Sequence, residues 1–294
     1  MKIGCHKLAE NLPSISNNFY TSLLRPLLFR LPPEKAQAVA DFFLQQELIW
    51  KFLSPLMSFH NEMLKTQLAG WELANPVGLA AGYDKDCRFL PSLAALGFGY
   101  VTGGTVTGSP RRGNPHPRLL RITEQNGLIN ALGFPNKGLD QIQMRLTSHF
   151  PSKKTPKVIS VSGNSIDEII RCHRSIEPLA DGIEVNISSP NTSGLKIFHK
   201  NETLSDLLQQ INDKRNKPLF VKLPPFGSSS TGSEGGLDSD RILGLIKVCI
   251  SAGVEALTVS NTWPVKDKRL SVRTGGISGK PIYQDMLKMV QDVK

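Results

Sequence analysis

The hydrophobic pattern changes period near residue 71. Before that point, apolar positions recur at helical spacing. In 19–30, Phe19, Tyr20, Leu23, Leu24, Leu27 and Leu28 share one stripe, with Arg25 and Arg30 off it. Pro26 either bends this helix or opens a second one. After Leu31-Pro32-Pro33, another helical pattern runs to about Phe52 through Ala36, Val39, Ala40, Phe43 and Leu44, with Pro33 near its first turn. Beyond residue 71, short apolar runs at 77–80, 100–105, 157–161, 182–188, 219–223 and 256–260 predict strands. Helical patterns fall between most of them, at 89–96, 139–150, 166–179, 204–212 and 241–252. Near-continuous apolar strands in repeated β-α units imply a parallel sheet covered by helices. Six units in one run, with polar residues just past each strand, favour a barrel over an open doubly wound sheet. No Gly-x-Gly-x-x-Gly opens a helix after the first strand, so a Rossmann dinucleotide site is not indicated.

The span between the second and third strands is too long for a plain crossover. Its segments 118–123 and 127–131 predict a hairpin inserted over the strand ends, carrying Asn130 and Phe134 on or beside it. A second departure from simple alternation follows the fourth strand. There Ile183, Val185 and Ile187 alternate with Glu184, Asn186 and Ser188, and Pro190 then stops ladder pairing. Asn186, Ser188, Ser189 and Asn191 are thereby offered to one small volume, a set suited to a planar polar ligand with donors and acceptors. A capped strand end with a solvated turn accounts for the same residues equally well.

Catalytic residues of a barrel follow the carboxyl ends of its strands. Those ends carry Gly82-Tyr83-Asp84-Lys85, Thr105, Asn186 with Ser189, Lys222, and Ser260-Asn261-Thr262. Lys222, inside Phe220-Val221-Lys222-Leu223, reads as functional because desolvating an ammonium requires an anionic partner. Lys85 fits a solvated turn equally well on pattern alone.

Composition adds direction. At 294 residues, with 39% hydrophobic and 20% charged residues, the chain has the make-up of a soluble globular protein with a large core. Its 35 Lys and Arg against 25 Asp and Glu leave +10, suited to an anionic substrate, an anionic membrane surface or nucleic acid. No basic run is interleaved with aromatics, which puts nucleic acid last. Cys5, Cys87, Cys172 and Cys249 are scattered without a Cys-x-x-Cys pair, which predicts free thiols and no metal site. No apolar run reaches membrane-spanning length and no leader pattern opens the chain, so an intracellular protein is expected. The amphipathic segment 1–60 either caps the main domain, 61–294, or lies on a bilayer with arginines at the headgroups.

Several long blocks carry a family resemblance. They are Asn75-Pro76-Val77-Gly78-Leu79-Ala80-Ala81-Gly82-Tyr83-Asp84-Lys85, Leu96-Gly97-Phe98-Gly99, Gly104-Thr105-Val106-Thr107, Gly113-Asn114-Pro115 through Arg118, Ile129-Asn130, Gly133-Phe134 and Gly275-Gly276-Ile277-Ser278-Gly279-Lys280-Pro281. With the opening stretch, they resemble dihydroorotate dehydrogenase, most closely the membrane-associated, quinone-dependent class. The likeness covers nearly the whole chain from about residue 19.

The resemblance implies oxidation of dihydroorotate to orotate in pyrimidine (UMP) synthesis, with FMN at the barrel mouth, substrate stacked on its ring, and a membrane quinone as acceptor. Ser189 matches the catalytic base, where a cysteine would indicate the soluble class. A serine hydroxyl is a poor base in water, so the site has to exclude water and provide a proton-relay partner. Lys85, Asn130, Asn186, Asn191 and Asn261, with Thr262 beside them, match substrate-binding positions, and Ala131, Leu132, Gly133 and Phe134 belong to the same set. One ammonium and several carboxamides suit a ligand with a carboxylate and two ring amides. Flavin contacts fall on Ala81, Gly82, Tyr83, Asp84, Lys85, Thr105, Ser160, Asn186, Lys222, Ser260 and Gly279. The N-terminal helices form the quinone tunnel, with Arg121 at its inner end. Peripheral attachment follows, to the cytoplasmic face of a bacterial inner membrane or to the mitochondrial inner membrane.

Three positions depart from the family pattern: Ser160 stands where asparagine is frequent, Gln37 where histidine is, and Pro224-Pro225-Phe226 where Ala-Pro-Asp is. The chain ends at Lys294, within the helix expected after the 275–281 loop. Six of eight β-α units are therefore expected, an incomplete TIM-type barrel truncated at its C-terminus. The loops after strands seven and eight, the usual phosphate site, are not among the six. A non-catalytic remnant that binds a membrane surface or a partner is the rival reading. A soluble dehydrogenase using fumarate or NAD is a third, opposed by Ser189 and the helix pair.

Overall fold

The computed structural model describes residues 18, 20–59, 61–148, 155–188, 193–227 and 236–294. A hairpin that hydrophobic spacing does not predict comes first, β1 (Thr66–Leu68) and β2 (Trp71–Leu73). Next are β3 (Gly78–Leu79), β4 (Tyr100–Val106), the inserted pair β5 (Leu119–Ile122) and β6 (Gly127–Asn130), then β7 (Lys157–Val161), β8 (Gly182–Asn186), β9 (Leu219–Lys222) and β10 (Ala256–Thr258). Two further strands, β11 (Trp263–Lys266) and β12 (Thr274–Gly279), follow. The six expected core strands form one parallel sheet in the order β10-β9-β8-β7-β4-β3. This is the six-stranded, incomplete TIM-type barrel that the β-α pattern implies.

Side-chain alternation builds two layers from that sheet. Ile159, Ile183, Val185 and Val221 are fully buried in the main apolar core. The opposite face carries Ser160, Glu184, Asn186 and Lys222, matched in register as Ser160↔Glu184 and Asn186↔Lys222. The helices α5 (Leu139–Ser148), α6 (Ile166–Ile176), α7 (Asn201–Asn212) and α8 (Ser239–Ser251) bury their own apolar stripes in the same core. Two have side-chain caps: Ser165 accepts from the Glu168 N–H, and Asp238 from the Arg241 N–H. The β1-β2 hairpin brings Trp71 onto Phe220 at 5.7 Å, with Gly182 beneath both rings. Any larger residue at 182 would meet those rings.

A four-stranded antiparallel sheet, β11-β12-β6-β5, is the second layer of the mouth. The stretch 275–281, expected as a loop, is mostly strand β12, pairing with β11 on one side and β6 on the other. Glycine hides it from pattern reading. Gly276 has no side chain because a Cβ there would sit 1.9 Å from Thr262 Oγ1.

The N-terminal segment is more broken than its pattern. A π-helical turn (Tyr20–Leu24) leads into α1 (Arg25–Phe29), so Pro26 opens a helix. The single pattern through 52 divides into α2 (Pro33–Leu44) and α3 (Glu47–Met57) at Gln46, whose backbone is non-helical. Trp50 Nε1 closes the corner by donating to the Phe43 carbonyl at 2.8 Å. Helix α2 packs on β5, and α3 on α4 (Leu90–Ala95), whose Ser92 Oγ donates to the Leu44 carbonyl at the end of α2. A last helix, α9 (Tyr283–Val293), follows β12.

Candidate active site

A cavity of about 970 Å³ opens at the carboxyl ends of the parallel strands. Ala81, Gly82, Tyr83 and Lys85 enter its wall after β3, and Thr105 from β4. Asn186 and Lys222 come from β8 and β9, and Ser260, Asn261 and Thr262 follow β10. From the inserted hairpin come Arg121, Asn130, Ala131, Leu132, Gly133 and Phe134. Tyr20, Leu28, Phe29, Pro33, Ala36 and Gln37 extend the same cavity between the N-terminal helices. A polar chamber inside the barrel is thus continuous with a largely apolar passage outside it.

The polar end is organised by amide–hydroxyl bonds. Asn186 Nδ2 donates to Thr105 Oγ1 at 3.0 Å, while its Oδ1 accepts from the Ser188 N–H at 3.1 Å and the Ser188 hydroxyl at 2.5 Å. Asn261 Nδ2 donates to Ser188 Oγ at 2.9 Å, and Asn261 Oδ1 accepts from the Thr262 N–H. These bonds take the place of a ladder, which is why β8 stops at Asn186 although apolar alternation continues to Ile187. His199 supports the same strand end from behind, its Nε2 donating to the Ile187 carbonyl at 2.8 Å. Burial holds His199 below the usual imidazole range, so the ring is neutral near pH 7. Sequence reasoning passes over His199, because a lone histidine in a helical stretch has no motif around it.

The two lysines differ. Lys222 is only 8% exposed and reaches the chamber from β9. Lys85 Nζ donates to the Gly82 carbonyl, and desolvation lowers its pKa, with Asp41 the largest opposing influence.

Not every expected residue lies on the wall. Asp84 is buried with both oxygens committed, Oδ1 to the Arg88 N–H and Oδ2 to the Phe89 N–H, each at 2.7 Å. It holds the turn ahead of α4. Ser160 is buried behind Thr105, with which it shares a hydrogen bond at 3.1 Å. Gly279 lines a smaller neighbouring pocket of about 300 Å³ together with Arg25, Phe29 and Arg121. Ser189 and Asn191 lie outside the described residues. Cys87, Cys172 and Cys249 are buried free thiols, the last two pushed up to about 12 chiefly by burial, which makes them inert. Among the described residues no cluster of His, Cys, Asp or Glu is placed to hold a metal ion.

Arg121 joins hairpin to helices. It donates to the Leu31 carbonyl at 2.6 Å and to those of Phe29 and Leu28 at 3.4 Å, with its guanidinium 4.5 Å from the Phe29 ring centre. Arg25 approaches the same ring at 4.5 Å. Arg118 makes two bonds of 2.9 Å to Glu34 of α2.

A parallel barrel with a polar chamber at its carboxyl ends, covered by an antiparallel sheet and fed through a helical passage, defines a barrel enzyme of the small-molecule-binding kind. The family model for dihydroorotate dehydrogenase matches residues 63–294, and the chain belongs to that family. It is 32% identical over 282 residues to a dihydroorotate dehydrogenase (quinone) of Roseiflexus sp. (strain RS-1), covering 90% of this chain and 75% of the relative. The corresponding Mycobacterium marinum (strain ATCC BAA-535 / M) protein is 33% identical over 291 residues, covering 91% and 76%. The ligand-free DHODH structure from Eimeria tenella superposes with a TM-score of 0.69 at 25% identity, covering 84% of this chain and 77% of that one. Its ferulenol complex gives 0.73 at 24% identity, over 91% and 79%, and supports the fold.

Proposed function

We propose that this chain oxidises dihydroorotate to orotate in pyrimidine synthesis and passes the electrons through FMN to a membrane quinone. One observation carries the reading: a single cavity runs from the Asn186–Ser188–Asn261 network and Lys222 to the passage between the N-terminal helices. Two half-reactions with unlike partners, one ionic and one apolar, call for such a shape.

The wall fits the ring end of a flavin. Gly82 has φ +115, and a Cβ built there meets nothing within 4 Å, so backbone and open space are left for a flat ring. Thr105 and Asn186 offer a hydroxyl and an amide, and Lys222 brings positive charge to the electron-rich edge of the ring. When bound, FMN supplies the hydride acceptor. In this reading Lys85 holds the substrate carboxylate, and Asn130, Asn186, Asn191 and Asn261 with Thr262 satisfy the ring amides. The segment 131–134 closes over the substrate, and Arg121 marks the inner end of the quinone passage. Ala81, Gly82, Tyr83, Ser260 and Gly279 are flavin contacts in the same reading. Asp84 and Ser160 act one layer behind, through the turn and through Thr105. In this reading the Ser189 side chain takes the C5 proton of dihydroorotate as its own hydroxyl proton passes to a relay partner, and its basicity depends on water being kept out. The exposed leucines and phenylalanines of the helices face the bilayer. No helix among the described residues is long and apolar enough to cross a membrane, so attachment is peripheral in this reading.

The test is anaerobic mixing of the flavin-loaded protein with dihydroorotate. Bleaching of the flavin band is expected, and Ser189→Ala should slow it by about 10²–10⁴ while flavin is retained. A serine variant reduced at the wild-type rate places the base elsewhere, and a protein that takes up no flavin favours the non-catalytic reading.

A further inference from the structure

Asp41 lies on α2, outside the barrel, yet its Oδ1 accepts a hydrogen bond from the Tyr83 hydroxyl at 3.3 Å. Tyr83 lines the cavity, and so does Lys85, two residues on. Side chains hold the turn 82–85 in three ways. Lys85 Nζ is tied to the Gly82 carbonyl, Asp84 to the Arg88 and Phe89 N–H groups, and Tyr83 to the N-terminal helix. The first two are internal to the loop region, backbone bonds from the Gly82 N–H to the Gly104 carbonyl at 3.0 Å and from the Gly104 N–H to the Asp84 carbonyl at 2.8 Å tie the turn to β4, and Tyr83 ties it by a side chain to α2.

The charges around Lys85 rank in the same way. Burial disfavours its ammonium form. Asp41 opposes this most strongly, ahead of Asp84 and Asp86, while the Arg118 guanidinium works against it. Asp84 is engaged by two backbone N–H groups, and Asp86 Oδ1 accepts from the Lys137 N–H at 2.8 Å. Asp41 itself meets Tyr83, Arg88 and Lys85, and burial raises its pKa. The Tyr83 hydrogen bond and the Arg88 and Lys85 charges oppose that burial and favour its carboxylate form.

We propose that Asp41 is a positioning residue for Lys85: it anchors the 82–85 turn through the Tyr83 hydroxyl and supplies negative charge to the lysine from outside the barrel. The inference rests on the reading of Lys85 as the group that meets an anionic substrate carboxylate. It makes α2 part of the substrate half of the site as well as a wall of the quinone passage.

The test uses the full 294-residue chain as wild type, Asp41→Asn, Asp41→Glu and Tyr83→Phe. The first readout needs neither flavin nor substrate: competitive acetylation of Lys85 by acetic anhydride across pH, quantified by peptide mass spectrometry against Lys247. Loss of the Asp41 charge should move the Lys85 curve to lower pH, raising labelling roughly threefold at a fixed pH below its midpoint. Asp41→Glu should restore the wild-type curve, and Tyr83→Phe should shift it less than Asp41→Asn. A folded Asp41→Asn protein, judged by circular dichroism, with an unchanged Lys85 curve overturns the proposal. So does an Asp41→Glu curve that follows Asp41→Asn, since loss of packing rather than charge would then explain both. The second readout is a KM against kcat split with dihydroorotate. Asp41→Asn should raise KM several-fold with kcat nearly held, and an unchanged KM overturns the proposal. If the wild type does not use dihydroorotate at all, the proposed function fails, and the acetylation curve still decides the role of Asp41.

Discussion

The barrel wall and the N-terminal helices are both rich in large apolar side chains and dispose of them in opposite ways. Ile159, Ile183 and Val221 are wholly buried between sheet and helices. Leu48 and Phe52 of α3 are 81% and 82% exposed, and Phe42, Phe43, Ile49 and Leu56 continue that surface. Besides Leu44 and Trp50 packed on the core, polar contacts fasten the helices: Arg121 to three carbonyls, Arg118 to Glu34, Tyr83 to Asp41, and Ser92 to the Leu44 carbonyl. Only Ala36 and Leu44 of α2 are buried. A segment latched through its polar groups, with its apolar groups turned out, is shaped to meet an apolar phase.

The same substitution should therefore act oppositely in the two regions. Ile183→Asp places a charge in the core and should abolish cooperative folding, because the cost exceeds the ~5–15 kcal/mol by which domains are stable. Leu48→Asp with Phe52→Asp should leave the melting temperature nearly unchanged. That pair should lower sedimentation with phosphatidylglycerol vesicles by tenfold or more, since each side chain contributes about 1.5–3 kcal/mol when buried. Vesicle binding that survives the double change would reduce the helices to a cap on the barrel.

The contrast also explains what the sequence makes legible. The strands are readable because one face packed in the core writes apolar residues at every second position, as at Ile183, Val185 and Ile187. Strand ends bearing Lys85, Thr105, Asn186, Lys222 and Asn261 follow from the barrel rule, and the cavity gathers all five. Two elements escape. Strand β12 depends on glycines at close approaches, Gly276 to Thr262 and Gly275 to the Asn130 carbonyl, and the β1-β2 hairpin on one tryptophan finding Phe220. Neither writes a period. The division of the helical run at Gln46 is likewise set by a tertiary bond, from Trp50 to the Phe43 carbonyl. Asp84 fits the family block as a flavin contact, but its two backbone partners are invisible until the turn is folded.

Within the barrel one polar group breaks the rule of satisfied burial. Glu184 is 5% exposed, its Oε2 accepts from Thr258 Oγ1 at 2.8 Å, and its Oε1 has no partner among the described residues. An orphaned carboxylate oxygen costs about 1–3 kcal/mol. Glu184→Gln removes the buried charge while keeping an acceptor for Thr258. It should raise the urea midpoint at pH 7.5 by an amount equivalent to about 1 kcal/mol. A lowered midpoint would mean that the carboxylate has a partner in solution.

The smallest effect concerns acid. His173 on α6 and His199 behind β8 are both buried, and burial lowers the pKa of each. For His173 the Glu177 carboxylate opposes this while Arg215 and Arg174 reinforce it; for His199 the bond to Ile187 opposes it while Arg241 and Lys196 reinforce it. In the unfolded chain both rings take up a proton near pH 6.5. In the fold they resist until lower pH, so the unfolded state binds more protons across that window and stability rises with pH. Stability should therefore be full above about pH 7 and decline as pH falls from 6.5 toward the depressed folded values. Urea midpoints at pH 7.5 and 5.5 measure the decline, and His199→Gln, which keeps a donor for the Ile187 carbonyl, should remove part of it. The described residues before 60 contain no histidine. Vesicle binding should accordingly not weaken over the same interval while the barrel loses stability. A parallel loss of both would mean that the helices hold their exposed apolar surface in place only while the barrel beneath them is fully folded.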